Sequence, residues 1–143
     1  MEINDDVLLR HAVETTKRAR QVAETRKAHY RYWEFMGYVG AALYTDLGNT
    51  YTGINVSLQC GIGFCAEHSA VAEMVKNGET KIRKIVATTA EGNVLPPCGR
   101  CREMMYQIDE SNLDTAVIMG SADKQPLREL LPHNWQNYFD KHL

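Results

Sequence analysis

Two spacings of apolar residues alternate along the chain. Over residues 5–28, Val7, Leu8, Ala12, Ala19 and Val22 recur, with His11 and Thr15 in line, at the period of a helix. They predict a surface helix with one weakly apolar stripe. Residues 39–44, Val-Gly-Ala-Ala-Leu-Tyr, form a continuous apolar run that reads as a buried strand. The turn formers at 46–49 and the β-rich residues 50–56 complete a hairpin. Residues 65–76 return to helical spacing, with Ala66, Ala70, Val71, Met74 and Val75 on one face and Asn77-Gly78 as the stop. A β-branched strand at 82–88, a helix at 98–108 after Pro96-Pro97, a strand at 115–119 and a short helix at 126–131 follow. Helices interleaved with strands in this order imply an α/β fold, a mixed sheet with helices on its faces. With no repeat, linker or low-complexity tract, residues 1–143 read as one domain.

Composition narrows the partners. Sixteen basic against eighteen acidic residues leave a formal charge of −2, and 44% of the 143 residues are hydrophobic, enough to fill one core. Proteins that grip phosphate backbones carry a basic surplus, so a small neutral ligand is expected rather than nucleic acid. The acidic start, Met1-Glu2-Ile3-Asn4-Asp5-Asp6, lacks the apolar core of a secretory signal. No apolar run approaches the roughly 20 residues that cross a bilayer. A soluble, cytoplasmic protein without membrane contact is the expectation. Four cysteines in such a compartment point to metal binding or catalysis before disulfides.

Those cysteines carry the chemistry. Cys98 and Cys101 stand three residues apart at a predicted helix start, so both sulfurs face one way and can meet one metal. Pro97 suits the first turn, and the positive helix end favours thiolates. Alone, this pair is equally the mark of a redox dithiol or of half a structural zinc site. Cys65-Ala66-Glu67, at a second helix start, adds a third sulfur and a carboxylate two residues later. Three protein ligands leave a fourth position for water, the property that separates catalytic from structural zinc. Glu67 is too close to Cys65 to share its direction and can lean over that water.

On these motifs the chain resembles the small cytidine deaminases, and among them the blasticidin S deaminases. Cys65-Ala66-Glu67 and Pro97-Cys98-Gly99-Arg100-Cys101-Arg102 resemble the family's two zinc helices. The segments 39–43, 53–56 and 129–132 resemble its first strand, nucleoside-contacting strand and carboxy-terminal element. The resemblance implies a three-layer α-β-α fold with a five-stranded mixed sheet, one zinc ion on Cys65, Cys98 and Cys101, and Glu67 as proton carrier. It further implies hydrolytic deamination at C4 of a cytosine nucleoside, cytidine or deoxycytidine first and blasticidin S next. Three thiolates on Zn²⁺ carry a formal −1 charge, which Arg100, Arg102 and His68 are placed to offset. The substrate contacts carried over are Asn55, Ser57, Ala66 and Trp135, the last an aromatic that relatives lend to a neighbouring subunit of a homotetramer. Ser57 stands where the family has a ribose-gripping Glu. The pyrimidine-stacking Phe falls on Gly37, with Phe35 and Met36 beside it as substitutes. Blasticidin S deaminases also lack that Glu and that Phe.

Competing readings attach to the same residues. With Cys60 as a fourth ligand the site is a closed structural zinc knuckle that serves a protein partner. Glu67 would then be a solvated carboxylate at a helix start, Asn55 a turn residue and Trp135 an anchor for the tail. An editing deaminase on RNA or DNA is a third reading, in which 30–33, Tyr-Arg-Tyr-Trp, stack on bases. Charge disfavours it. His11, His29, His133 and His142 have no motif around them.

Overall fold

The structure, a computed structural model, describes residues 2–26, 36–120 and 122–142. Phe35, His29 and the aromatic cluster at 30–33 lie outside the described residues.

Helix α1 (Asp5–Arg26) leads into the hairpin β1 (Val39–Thr45) and β2 (Thr50–Ile54). Then come α2 (Ala66–Lys76), β3 (Ile82–Thr89), β4 (Val94–Leu95), α3 (Gly99–Ile108), β5 (Ala116–Ile118), β6 (Lys124–Pro126), α4 (Leu127–Leu130) and α5 (Trp135–His142). The sheet runs β2-β1-β3-β5-β6, with β3 and β5 parallel and the other pairs antiparallel. It is the expected mixed α/β sheet with one addition. The two-residue β4 folds back antiparallel on β3, making six strands instead of five.

Alternation along the central strands produces the layers. Ala41, Leu43, Ile85, Ala87 and Val117 point to one face and bury Ala66, Ala70, Val71 and Met74 of α2, with Met105 of α3. Ala42, Tyr44, Val86 and Ile118 point to the other and meet Leu8 and Ala12 of α1. One strand residue of shift would exchange the two cores, so the pleat itself fixes which helix lies on which side.

Two glycines set how close the helices come. A Cβ on Gly53 of β2 would stand 2.3 Å from the amide nitrogen of Ala70 and 2.5 Å from the carbonyl of Ala66. A Cβ on Gly40 of β1 would stand 2.3 Å from the carbonyl of Ala12. The helix backbones therefore rest directly on the hairpin from both sides. The start of α1 is pinned separately. Lys84 of β3, buried, reaches Asp5 at 2.7 Å and the carbonyl of Ile3 at 3.0 Å, and Lys124 takes the other Asp5 oxygen at 2.8 Å. Among the described residues, no helix is long and apolar enough to cross a membrane.

Gly53→Ala is expected to lower unfolding free energy by about 1–3 kcal/mol, because its methyl group must push α2 off the sheet. Chemical denaturation measures this; an unchanged midpoint would mean that the contact yields without cost.

Candidate active site

Both zinc-type motifs begin at helix ends, as their sequence suggests, but one residue further out. Cys65 and Cys98 are the N-cap residues of α2 and α3, each in extended backbone (φ −73°, ψ 160° and φ −68°, ψ 166°). From these positions the two sulfurs turn toward each other. Cys101 lies in the first turn of α3 and is fully buried. Cys65 Sγ stands 3.6 Å from Cys98 Sγ, which stands 3.5 Å from Cys101 Sγ, and all three lie within 4.8 Å of one another. Sulfurs at the corners of a tetrahedron with Zn–S near 2.3 Å are about 3.8 Å apart. The donor set thus has the size and softness of a zinc site.

The acid–base state of the thiols points the same way. Burial pushes Cys101 and Cys65 well up. Burial also acts on Cys98, but the N–H groups of Cys101 and Arg100 and the neighbouring thiols outweigh it and hold Cys98 below its ordinary value. Three sulfurs this close, one of them fully buried, cannot all ionise without a cation between them. Glu67, in the first turn of α2, is only 5% exposed. Burial raises its pKa, with partial offsets from its own N–H and from the Cys101 thiol.

Beside these groups opens a cavity of about 560 Å³. Asn55, Ser57, Ala66 and Glu67 all line it. Asn55 is held on two sides: its Oδ1 accepts the Val39 N–H at 2.8 Å and its Nδ2 donates to Ser57 Oγ at 2.9 Å. Beyond Ile54 the chain continues as a single bridge, Val56 to Phe64, which carries it into Cys65. The loop between contains Cys60, exposed and with φ +60°, outside the sulfur cluster.

Other expectations are redirected. Gly37 does not line the cavity. Its φ is +73°, and a Cβ there would strike the Ala19 Cβ at 2.6 Å, so the position faces α1. Met36 lines a separate groove with Thr15 and Ala19. Trp135 begins α5, 58% exposed and stacked on Phe139 at 4.7 Å, in a groove with Pro132 and His133 away from the cavity of its own chain. Of the three expected charge-offsetting side chains, Arg102 donates to the carbonyls of Pro97 and Leu130, and Arg100 donates to that of Gly63. His68 Nδ1 stands 3.4 Å from Cys101 Sγ. Sequence reasoning missed Leu58, Phe64, Leu95 and Pro96 as cavity walls. The only signal was their place beside the motif cysteines.

The family model described as the cytidine and deoxycytidylate deaminase zinc-binding region matches residues 4–117. The chain belongs to this deaminase family. It is 36% identical over 95 residues to a cytidine deaminase of Mycobacterium tuberculosis, covering 66% of this chain and 69% of that protein. It is 27% identical over 117 residues to a blasticidin-S deaminase of Bacillus cereus, covering 76% and 84%. Among solved structures, the cytidine deaminase of Mycobacterium leprae superposes with a TM-score of 0.71 at 26% identity, over 92% of this chain and 100% of that one. As a member of this family the chain is a zinc-dependent hydrolytic deaminase, and its three-cysteine cluster fits one zinc ion.

Cys98→Ala and Cys101→Ala are expected to lose the stoichiometric zinc that the parent holds, whereas Cys60→Ser keeps it. Metal analysis of the purified chains decides; zinc lost from Cys60→Ser would make the site a closed four-cysteine one.

Proposed function

We propose that the chain hydrolyses the C4 amine of a cytosine nucleoside, with Cys65, Cys98 and Cys101 holding zinc and Glu67 moving the protons. The observation that carries this reading is a buried carboxylate, Glu67, lining the same cavity as Cys65 and Cys98 of the sulfur cluster. Zinc on three thiolates supplies a Lewis acid with one open position, which draws the pKa of water toward neutrality. Glu67 takes one proton of the attacking water and passes it to ring nitrogen N3, then takes the second from the resulting C4 hydroxyl and delivers it to the amine, which leaves as ammonia while C4 becomes a carbonyl. Its burial supports this role, since raising the pKa makes the carboxylate a stronger base toward the proton of water. Leu58, Phe64 and Leu95 line the cavity and offer the ring apolar surface to rest against. The place of action is the cytoplasm.

Sugar recognition rests on Asn55 and Ser57. A hydroxyl at Ser57 is shorter than the carboxylate it replaces and leaves room for bulk. Cytidine and deoxycytidine are the first substrates, and blasticidin S is the second reading, favoured by Ser57 alone. Trp135 lines a groove on α5 and not the cavity of its own chain. Its exposure supports a role against a second copy in a homo-oligomer, for which a tetramer is our reading.

In Glu67→Gln the shape is kept and the proton shuttle lost. Deamination followed by ultraviolet absorbance should fall by at least about 10²–10⁴-fold, the usual worth of general acid–base assistance. Zinc content should stay at the parent level. Undiminished turnover would place the proton carrier elsewhere, and lost zinc would make Glu67 a ligand. For the pocket, cytidines with a bulky ring or sugar substituent should compete with cytidine at comparable concentrations. Strict preference for the plain nucleoside would refute the widened site without touching the chemistry.

A further inference from the structure

Hydrogen-bond donors and acceptors are unevenly shared around the cavity. Asn55 Oδ1 accepts the Val39 N–H at 2.8 Å, and that bond fixes which side of the amide is oxygen and which is nitrogen. Nδ2 then donates to Ser57 Oγ at 2.9 Å. A hydroxyl that accepts one hydrogen bond still has its own proton to give. Both residues line the cavity, so with the amide oxygen engaged by Val39 they meet a ligand chiefly as donors.

Arg100 adds a full positive charge to the same wall. Its Nη1 donates to the carbonyl of Gly63 at 3.2 Å. Gly63 lies against the segment that carries Ser57: a Cβ on it would stand 2.4 Å from the Val56 carbonyl and 3.3 Å from Ser57 Cα. A guanidinium carries several N–H donors, and among the described residues no carboxylate pairs with Arg100. Of the described side chains that line the cavity, Glu67 is the one carboxylate, and it is occupied with the proton transfers. A guanidinium that shares a wall with a hydroxyl and an amide, with no acid to neutralise it, matches an oxyanion.

We infer that this wall is an oxyanion subsite, and that the preferred substrate is a cytosine nucleoside carrying a carboxylate or a phosphate on its sugar. The inference deepens the function proposed above and rests on it. Arg100 holds two oxygens of the acid with its planar fork, and the Ser57 hydroxyl adds a further bond. A neutral sugar offers these donors only uncharged acceptors, whereas bonds to an ionised acceptor are about twice as strong. The subsite alters how the substrate is held and leaves the attack on C4 as it is.

The experiment uses the whole zinc-loaded chain at low ionic strength. Its substrates are cytidine, cytidine 5′-monophosphate, cytidine 3′-monophosphate and the 5′-carboxylate of cytidine. At least one acid should exceed cytidine in kcat/KM by about 10-fold, the lower end of what a hydrogen bond to a charged group contributes. Which acid does so tells phosphate from carboxylate. Calorimetric dissociation constants of the corresponding uridine products should show the same ratio without turnover. Arg100→Gln should bring the ratio of acid to cytidine close to one, Arg100→Lys should keep part of it, and Ser57→Asp should drive it below one. A ratio in Arg100→Gln as high as the parent's overturns the assignment. Should changes at Arg100 cost the zinc or the fold, the parent alone decides. Its ratio should shrink as salt is raised, because the paired charges are screened, and acids no better than cytidine at low salt overturn the inference. A parent chain that deaminates no cytosine nucleoside, neutral or acidic, would instead defeat the function on which the inference stands.

Discussion

Three cysteine sulfurs within 4.8 Å of one another are the constraint around which the rest of this chain is arranged. As thiolates they repel, and a divalent cation between them turns that repulsion into attraction. The fold must hold the sulfurs together before the ion arrives. It does so by aiming two helix starts at one point. The N-cap backbones of Cys65 and Cys98 are nearly identical, so each helix presents its sulfur and its free N–H groups in the same manner. Everything that fixes the angle and distance between α2 and α3 is in this sense part of the metal site.

The sheet supplies that fixity. Both helices lie on the face formed by Ala41, Leu43, Ile85 and Val117, and the small residues Ala66 and Ala70 let α2 descend onto Gly53. Larger residues at these places would lift the start of α2, and with it Cys65 and Glu67, away from Cys98. On the opposite face, α1 is held by Leu8, Ala12 and the buried ammonium of Lys84. That layer touches no catalytic group and keeps the strands from flexing beneath those that do.

Much of this was legible in the sequence because it is encoded at short range. The i, i+3 spacing of Cys98 and Cys101 is a property of one helical turn, and Cys65-Ala66-Glu67 needs only that its helix begin where it does. Strands β1, β2, β3 and β5 showed in their apolar or β-branched runs. What escaped was of two kinds. Strands β4 and β6, with two and three residues, are too short to display a period, and α5 mixes aromatics with Asn, Gln and Asp in a pattern that names no single face. Direction was the other loss. Gly37 matches a position that holds a stacking aromatic in relatives, yet its missing side chain points at Ala19 because of how α1 lies across β1. Likewise nothing in the order of residues says that Arg102 turns to two carbonyls while His68 turns to a sulfur.

The end of the chain is tied to the metal helix by a single carboxylate. Glu103, two residues after Cys101, accepts the N–H of Trp135 at 3.0 Å and that of Gln136 at 3.1 Å, and so closes the open end of α5. Arg102, its neighbour, holds the carbonyl of Leu130. Consecutive residues of one turn thus grip the tail at two places, directly after the two ligands that the start of the same helix presents. A protein engineer who trims α5 to obtain a smaller catalyst, or fuses a carrier directly to it, would be pulling on the same turn that sets the cysteines. Any useful truncation must therefore redesign Glu103 and Arg102 along with the segment it removes.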